Sequence, residues 1–126
     1  MKGLLTKMTN MNIEEFRTYC LQKKGVTEEF PFDEQTLVFK VMGKMFALSG
    51  LERQPPQINL KCDPERSVEL REQYDGLIYG GYHMNKLLWN TLEITKLPYQ
   101  LIFELIDHSY DLVVAKMPKK LREELK

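Results

Sequence analysis

The segment that most limits what this chain can fold into is a pair of β-rich runs separated by two residues. Thr36 to Val41 and Lys44 to Leu48 flank Met42-Gly43, the signature of a tight hairpin. Two strands joined this closely must lie antiparallel, because a parallel pair needs a crossover of a dozen residues or more. Leu37, Phe39 and Val41 then fall on one face, with Val38 and Lys40 on the other. Glu28 to Phe32 reads as a short strand ahead of the hairpin, kept at a sheet edge by Pro31. After the Gln54-Pro55-Pro56 loop, Gln57 to Lys61 alternates as a strand. Leu77 to Tyr79 and Trp89 to Ile94 follow, the second with Trp89, Thr91 and Glu93 on one side.

Helical signals bracket these strands. Asn12 with Glu15 three positions on is a capping-box pattern, followed by Ile13, Phe16, Cys20 and Leu21 at helical spacing and a stop at Gly25. Asp63-Pro64-Glu65 starts a second helix running to about Tyr74, since Asp caps free N–H groups and Pro suits the first turn. Pro98 opens the longest pattern, with Leu101, Ile102, Leu105, Ile106, Ser109, Leu112 and Val113 as one stripe. Pro118 to Leu125 reads as a short basic helix. Strands follow hairpin logic and are segregated from helices, so the class is α+β, an antiparallel sheet of about five to six strands packed against helices. Residues 1–11 read as a flexible leader and 12–126 as a single domain.

Composition excludes several functions. Eighteen basic side chains balance eighteen acidic ones, so nucleic-acid binding would have to come from local asymmetry rather than bulk charge. Such asymmetry exists: Asn12 to Leu37 is acidic, while Lys116 to Lys126 carries Lys116, Lys119, Lys120, Arg122 and Lys126. Only Cys20 and Cys62 are present, which excludes a disulfide framework and fits a cytoplasmic setting. No apolar run approaches the roughly 20 residues of a membrane span. Glu104 and His108 stand one helical turn apart, but no second histidine or cysteine completes a metal site, and no cofactor is called for. Ser49, Ser67 and Ser109 lack the glycine context of an activated nucleophile, so catalysis is not expected.

Gly80 to Thr91 is the densest polar segment, with His83, Asn85, Lys86, Asn90 and Thr91 beside Tyr82 and Trp89. Its Gly80-Gly81 lacks the lysine and helix start of a phosphate loop and reads as a turn or bulge. Asn and Lys side chains bond base edges and phosphates, and aromatic rings stack on bases, so the segment suits nucleic acid or a protein partner. Trp89 is expected to anchor it from within the core, leaving His83, Asn85 and Lys86 free.

Gly25-Val26-Thr27-Glu28-Glu29-Phe30-Pro31-Phe32, Leu37-Val38-Phe39-Lys40-Val41, Gly43-Lys44-Met45-Phe46-Ala47 and Asn59-Leu60-Lys61-Cys62 stand in this order along the chain. Gly81-Tyr82-His83-Met84-Asn85-Lys86, Trp89-Asn90-Thr91 and His108-Ser109-Tyr110-Asp111-Leu112-Val113 follow them. These phrases resemble the MmcQ/YjbR family from Asn12 to Leu125. The resemblance implies a CyaY-like fold described as a double wing, akin to the DNA-binding domain of a phage transcription activator. It places His83, Asn85, Lys86 and Trp89 at a candidate nucleic-acid site, with Lys40, Lys44 and Lys61 as phosphate contacts. Leu87-Leu88 departs from the basic or polar pair more usual in the family, making this loop less polar. The expectation is therefore a non-enzymatic protein that binds duplex DNA weakly through the sheet face and the His83 to Trp89 loop. The alternative is a protein-interaction or regulatory module with no nucleic-acid role; in either case a monomer without membrane attachment is expected.

Overall fold

A computed structural model of the chain describes residues 11–81 and 84–126. The hairpin is formed as read: β2 (Thr36–Val41) and β3 (Lys44–Gly50) are joined by Met42 and Gly43, at φ 49° and 83°. Two successive positive φ values give the turn whose twist matches paired strands, and glycine at the second accepts its value without strain. Around this hairpin stand β1 (Val26–Glu29), β4 (Gln57–Lys61), β5 (Ile78–Gly80) and β6 (Trp89–Glu93). All six pair antiparallel in the order β1-β2-β3-β4-β6-β5. The fold is thus α+β, with six described strands.

The first strand differs from the reading of Glu28 to Phe32. It begins at Val26, directly after Gly25, where Val26 pairs with Val41, and it ends at Glu29. Pro31 has no N–H to give to a ladder and lies outside the strand. Likewise β5 is shifted one residue, to Ile78–Gly80.

The helices α1 (Ile13–Leu21), α2 (Pro64–Gln73), α3 (Tyr99–Ala115) and α4 (Lys119–Glu124) pack on one face of the sheet. The capping box at α1 is complete: Glu15 N–H donates to Asn12 Oδ1 at 2.8 Å, and Asn12 N–H to Glu15 Oε1 at 3.2 Å. Asp63 caps α2 by accepting from Arg66 N–H. The stripe of α3 buries Ile102, Leu105, Ile106, Ser109 and Val113 against β2, β3 and β4. Phe16, Phe39, Phe46, Ile58, Leu60, Leu92 and Ile94 complete this core, and Phe16 meets Phe39 edge to face. Met11, the last residue of the segment read as a leader, is itself buried there; residues 1–10 lie outside the described residues.

Between Phe39 and Lys40 the register of β2 with β3 slips, so Phe46 is an extra residue in β3. The β3–β4 ladder pairs Ala47 with Leu60 and Leu48 with Asn59, and would next set Phe46 opposite Lys61. Instead the hydroxyl of Ser109 enters between them: it donates to Phe46 O at 2.5 Å and accepts from Lys61 N–H at 2.9 Å. One buried side chain on α3 thereby closes the gap that the bulge opens and ties the helix to two strands.

Removing this hydroxyl leaves a buried carbonyl and a buried N–H without their partner, which costs about 1–3 kcal/mol. Ser109→Ala is expected to lower the free energy of unfolding in urea by that amount with an unchanged m-value. Ser49→Ala, which removes a single bond to Gln57 O, is expected to cost less.

Candidate functional site

Cross-strand partners share a face, so the registers fix where each candidate side chain stands. Glu29, Val38, Leu48, Asn59, Thr91 and Tyr79 form one row across the face opposite the helices. Lys61 and Trp89 are direct partners on that face. Trp89 is buried, at 5% exposure, but not in the main core: it joins Val38 and Leu48 in a second apolar cluster, against which Met45, Met84 and Leu88 pack. The expectation that Trp89 anchors its loop holds, with the anchor on the far side of the sheet.

The Lys61 ammonium lies 5.5 Å from the centre of the Trp89 ring, a cation–π contact that occupies the ring face. Burial, with the positive charges of Lys116 and then Lys44, pushes the Lys61 ammonium below the ordinary lysine range. Lys44 starts β3, Lys61 ends β4 and Lys116 follows α3, so all three stand at one end of the sheet. Among the described residues no carboxylate lies within 4 Å of any of the three.

The other two lysines are placed differently. Lys40 shares the far face with Lys61 but pairs with Glu29 at 3.1 Å, which neutralises it. Lys86 lays its stem over Gly80, within 3.3 Å of where a Cβ would stand. Gly80 is the partner of Asn90, whose side chain bonds Ser67 and Arg71 of α2, so Lys86 leaves toward the helix side. Lys44, opposite the core residue Val41, is also on the helix side in register. Of the four lysines read from the sequence, Lys44 and Lys61 thus come together at one end, Lys40 is neutralised and Lys86 is turned away.

The loop before β6 is tightly made. Asn85 Oδ1 accepts from Leu87 N–H at 2.9 Å, and its carbonyl accepts from Leu88 and Trp89 N–H, so Asn85 shapes the turn with its own polar groups. Asn90 is buried and braces α2 instead of a turn. Arg71 donates to Asn90 Oδ1 at 2.8 Å and to Lys86 O at 2.5 Å, a brace that α2 supplies and the loop's own sequence does not reveal. Leu87 is 72% exposed at the tip. His83 lies outside the described residues.

Groups that could serve chemistry elsewhere have structural work. His108 Nε2 accepts from Asp63 N–H at 3.1 Å, and burial followed by the Arg66 charge holds its pKa below the usual value. Glu104 pairs with Arg66 rather than with His108. Cys20 and Cys62 are buried thiols whose pKa values burial raises. Among the described residues no group of three or more metal-ligating side chains occurs, and no helix is long and apolar enough to cross a membrane.

Charge is distributed unevenly between the sheet's ends. Lys44, Lys61 and Lys116 are joined at their end by α4, whose following residue Leu125 meets Gly25 and which carries Lys119, Lys120 and Arg122 against Glu123 and Glu124. The connections at the opposite end carry Asp33, Glu34 and Glu52 with Arg53, and Glu93 ends β6 there with Lys96 shortly after it.

A family model described as YjbR matches residues 21–112. The uncharacterized protein YbdF of Escherichia coli O157:H7 is 41% identical over 95 residues, spanning 72% of this chain and 75% of that protein. The uncharacterized protein YjbR of Escherichia coli K12 is 31% identical over 114 residues, 90% of this chain and 96% of that one. Among solved structures, a Deinococcus radiodurans protein with a DUF419 domain superposes with a TM-score of 0.86 at 38% identity, covering 94% of this chain and 91% of its own. A Pseudomonas syringae protein reaches 0.67 at 30% identity, covering 81% and 98%.

Tyr79, which shares the carboxylate of Glu93 with Gln57 on the far face, is pushed up to about 12 by burial and then by that carboxylate. Tyr19 is pushed up to about 12 by burial and then by Asp107. A phenol whose folded pKa exceeds its unfolded value of 10 adds stability below that value and loses it as pH rises through the folded pKa. Phenolate absorbance is expected to show both tyrosines titrating near pH 12, and Tyr79→Phe to flatten the fall in stability between pH 10 and 12.

Proposed function

The chain belongs to the YjbR family, and we propose that it is a non-catalytic protein that binds duplex DNA weakly through the basic end of its sheet. The observation that carries this reading is the trio Lys44, Lys61 and Lys116, three cations at one end of a rigid sheet with no carboxylate within 4 Å among the described residues. Like charges held together repel one another, and a phosphate chain relieves that repulsion while releasing its own counterions. The far face offers less for base recognition, because Lys61 already covers Trp89 and Lys40 is paired with Glu29. Contact with phosphates rather than with bases follows, giving affinity that is sequence-tolerant and dominated by salt. The absence of catalysis is supported by His108, Cys20 and Cys62 being engaged or buried.

For three phosphate contacts the slope of log K against log salt is about −2.7, so affinity falls roughly 40-fold between about 50 and 200 mM salt. Fluorescence anisotropy with a labelled duplex of about 20 base pairs measures this directly. Lys116→Ala is expected to reduce the slope by about 0.9, with little change in preference between sequences. If the protein bound no better than a neutral control at low salt, or if Lys44→Glu with Lys116→Glu left the slope unchanged, nucleic acid would be excluded in favour of a protein partner.

A further inference from the structure

A groove of about 420 Å³ lies between α3 on one side and α4 with the two residues after it on the other. Tyr110 and Val114, one turn apart on α3, give it an apolar wall, and Leu125 adds a third apolar side chain from across the groove. Lys119, Arg122 and Lys126 also line it, whereas Lys120 and Glu124 do not. Glu123 is the one carboxylate in the lining among the described residues, so cations outnumber acids there. No described carboxylate lies within 4 Å of Lys119, Arg122 or Lys126. The walls are held independently of any ligand: Tyr110 Oη donates to Lys24 O at 2.5 Å, the Lys24 ammonium donates to Lys126 O at 2.7 Å, and Leu121 and Leu125 pack on the main core. Lys23, whose ammonium stands over the Tyr110 ring, is paired with Asp107. A preformed groove thus combines an apolar wall with unmatched positive charge, and a ligand loses little free energy in ordering it.

We propose that this groove binds a small amphiphilic monoanion, a carboxylate or sulfonate carried on an alkyl or aryl body. The body lies against Tyr110, Val114 and Leu125, which removes apolar surface of both ligand and protein from water. The acid head goes to Arg122, whose planar fork of N–H donors matches two oxygens of one acid group, while Lys119 and Lys126 raise the positive potential around it. The volume lies at the small end of the range of roughly 300–1,000 Å³ usual for small-molecule sites, which suits a ligand with one head and one short body. Both halves of the ligand are needed. An inorganic anion leaves the apolar wall wet, and an uncharged body leaves the cations unmatched. A nucleic-acid duplex presents phosphates without an apolar body and gains nothing from Tyr110, Val114 and Leu125. The inference is independent of the DNA reading above, because neither Lys44, Lys61 nor Lys116 lines the groove.

The test is a fluorescence titration of the full chain with anilinonaphthalene sulfonate, an anionic aryl probe. Saturable binding is expected, displaced by octanoate but not by acetate or inorganic phosphate at the same concentration. Octanol, the uncharged chain of equal length, is expected to displace the probe about tenfold less well, the fold-change of one charge-assisted hydrogen bond. Arg122→Ala is expected to weaken probe binding about tenfold, and Arg122→Lys to weaken it less, because a point charge keeps the attraction and loses the fork. Val114→Trp is expected to fill the groove and abolish binding while the urea midpoint stays close to that of the parent chain. Leu87→Ser, at the exposed apolar tip of the loop before β6, is expected to change nothing. Arg122 is exposed, so its variants keep the fold and decide the matter even where Val114→Trp does not fold. Displacement by acetate, phosphate or a short duplex as effective as that by octanoate would overturn the proposal, since the groove would then be a plain anion patch. Probe binding unaltered by Arg122→Ala would overturn it equally, because the probe would then sit on another surface.

Discussion

Ser109 occupies the place where the sheet would otherwise fail to close. The bulge at Phe46 brings one carbonyl out of the β3–β4 ladder and leaves the Lys61 N–H without a strand partner. A hydroxyl has both a donor and an acceptor, so one side chain serves both groups and does so from within the helix stripe. The strands can then part beyond Ala47 and Leu60 without exposing unsatisfied backbone. That separation sets Lys44 and Lys61 at the open end of the sheet, with Lys116 brought alongside by the end of the same helix. The position of the cationic trio is in this sense a product of core geometry.

Much of the fold is legible in the sequence because each signal is local. The cap at Asn12 and Glu15, the Asp63-Pro64 start and the Met42-Gly43 turn depend on side chains within four residues of one another, and all three form as read. The face assignments of Leu37, Phe39 and Val41 against Val38 and Lys40 follow from period two alone. Where the structure departs from the reading, non-local pairing decides: β1 takes its limits from Val41 and Val38 across the sheet, not from the β-forming residues near Pro31.

The site is harder to read for the same reason. Lys40, Lys44, Lys61 and Lys86 are equivalent in sequence, and only the fold separates one neutralised by Glu29 from one turned over Gly80. Lys116 is visible as part of a basic tail, but its association with Lys61 needs α3 to run its full length across the sheet. Ser109 reads as a member of an apolar stripe, and nothing in the stripe discloses that a bulge on another element needs its hydroxyl. Trp89 is an anchor as its sequence suggests, yet the sheet has two apolar faces and the pattern alone does not choose between them.

Gly25 sits at φ 78° under Leu125, and a β-carbon there would come within 2.5 Å of the leucine's Cδ2. Leu121 and Leu125 both pack on the main core, and the Lys24 ammonium donates to Lys126 O. What reads in sequence as a charged tail is therefore latched to the turn that precedes the first strand. Its cations keep set spacings from Lys44 and Lys61, as teeth on a comb do, and a flexible tail would instead adapt to any anion it met. A polyanion with a regular charge repeat could match such spacings all at once, whereas scattered small anions would each engage only one tooth.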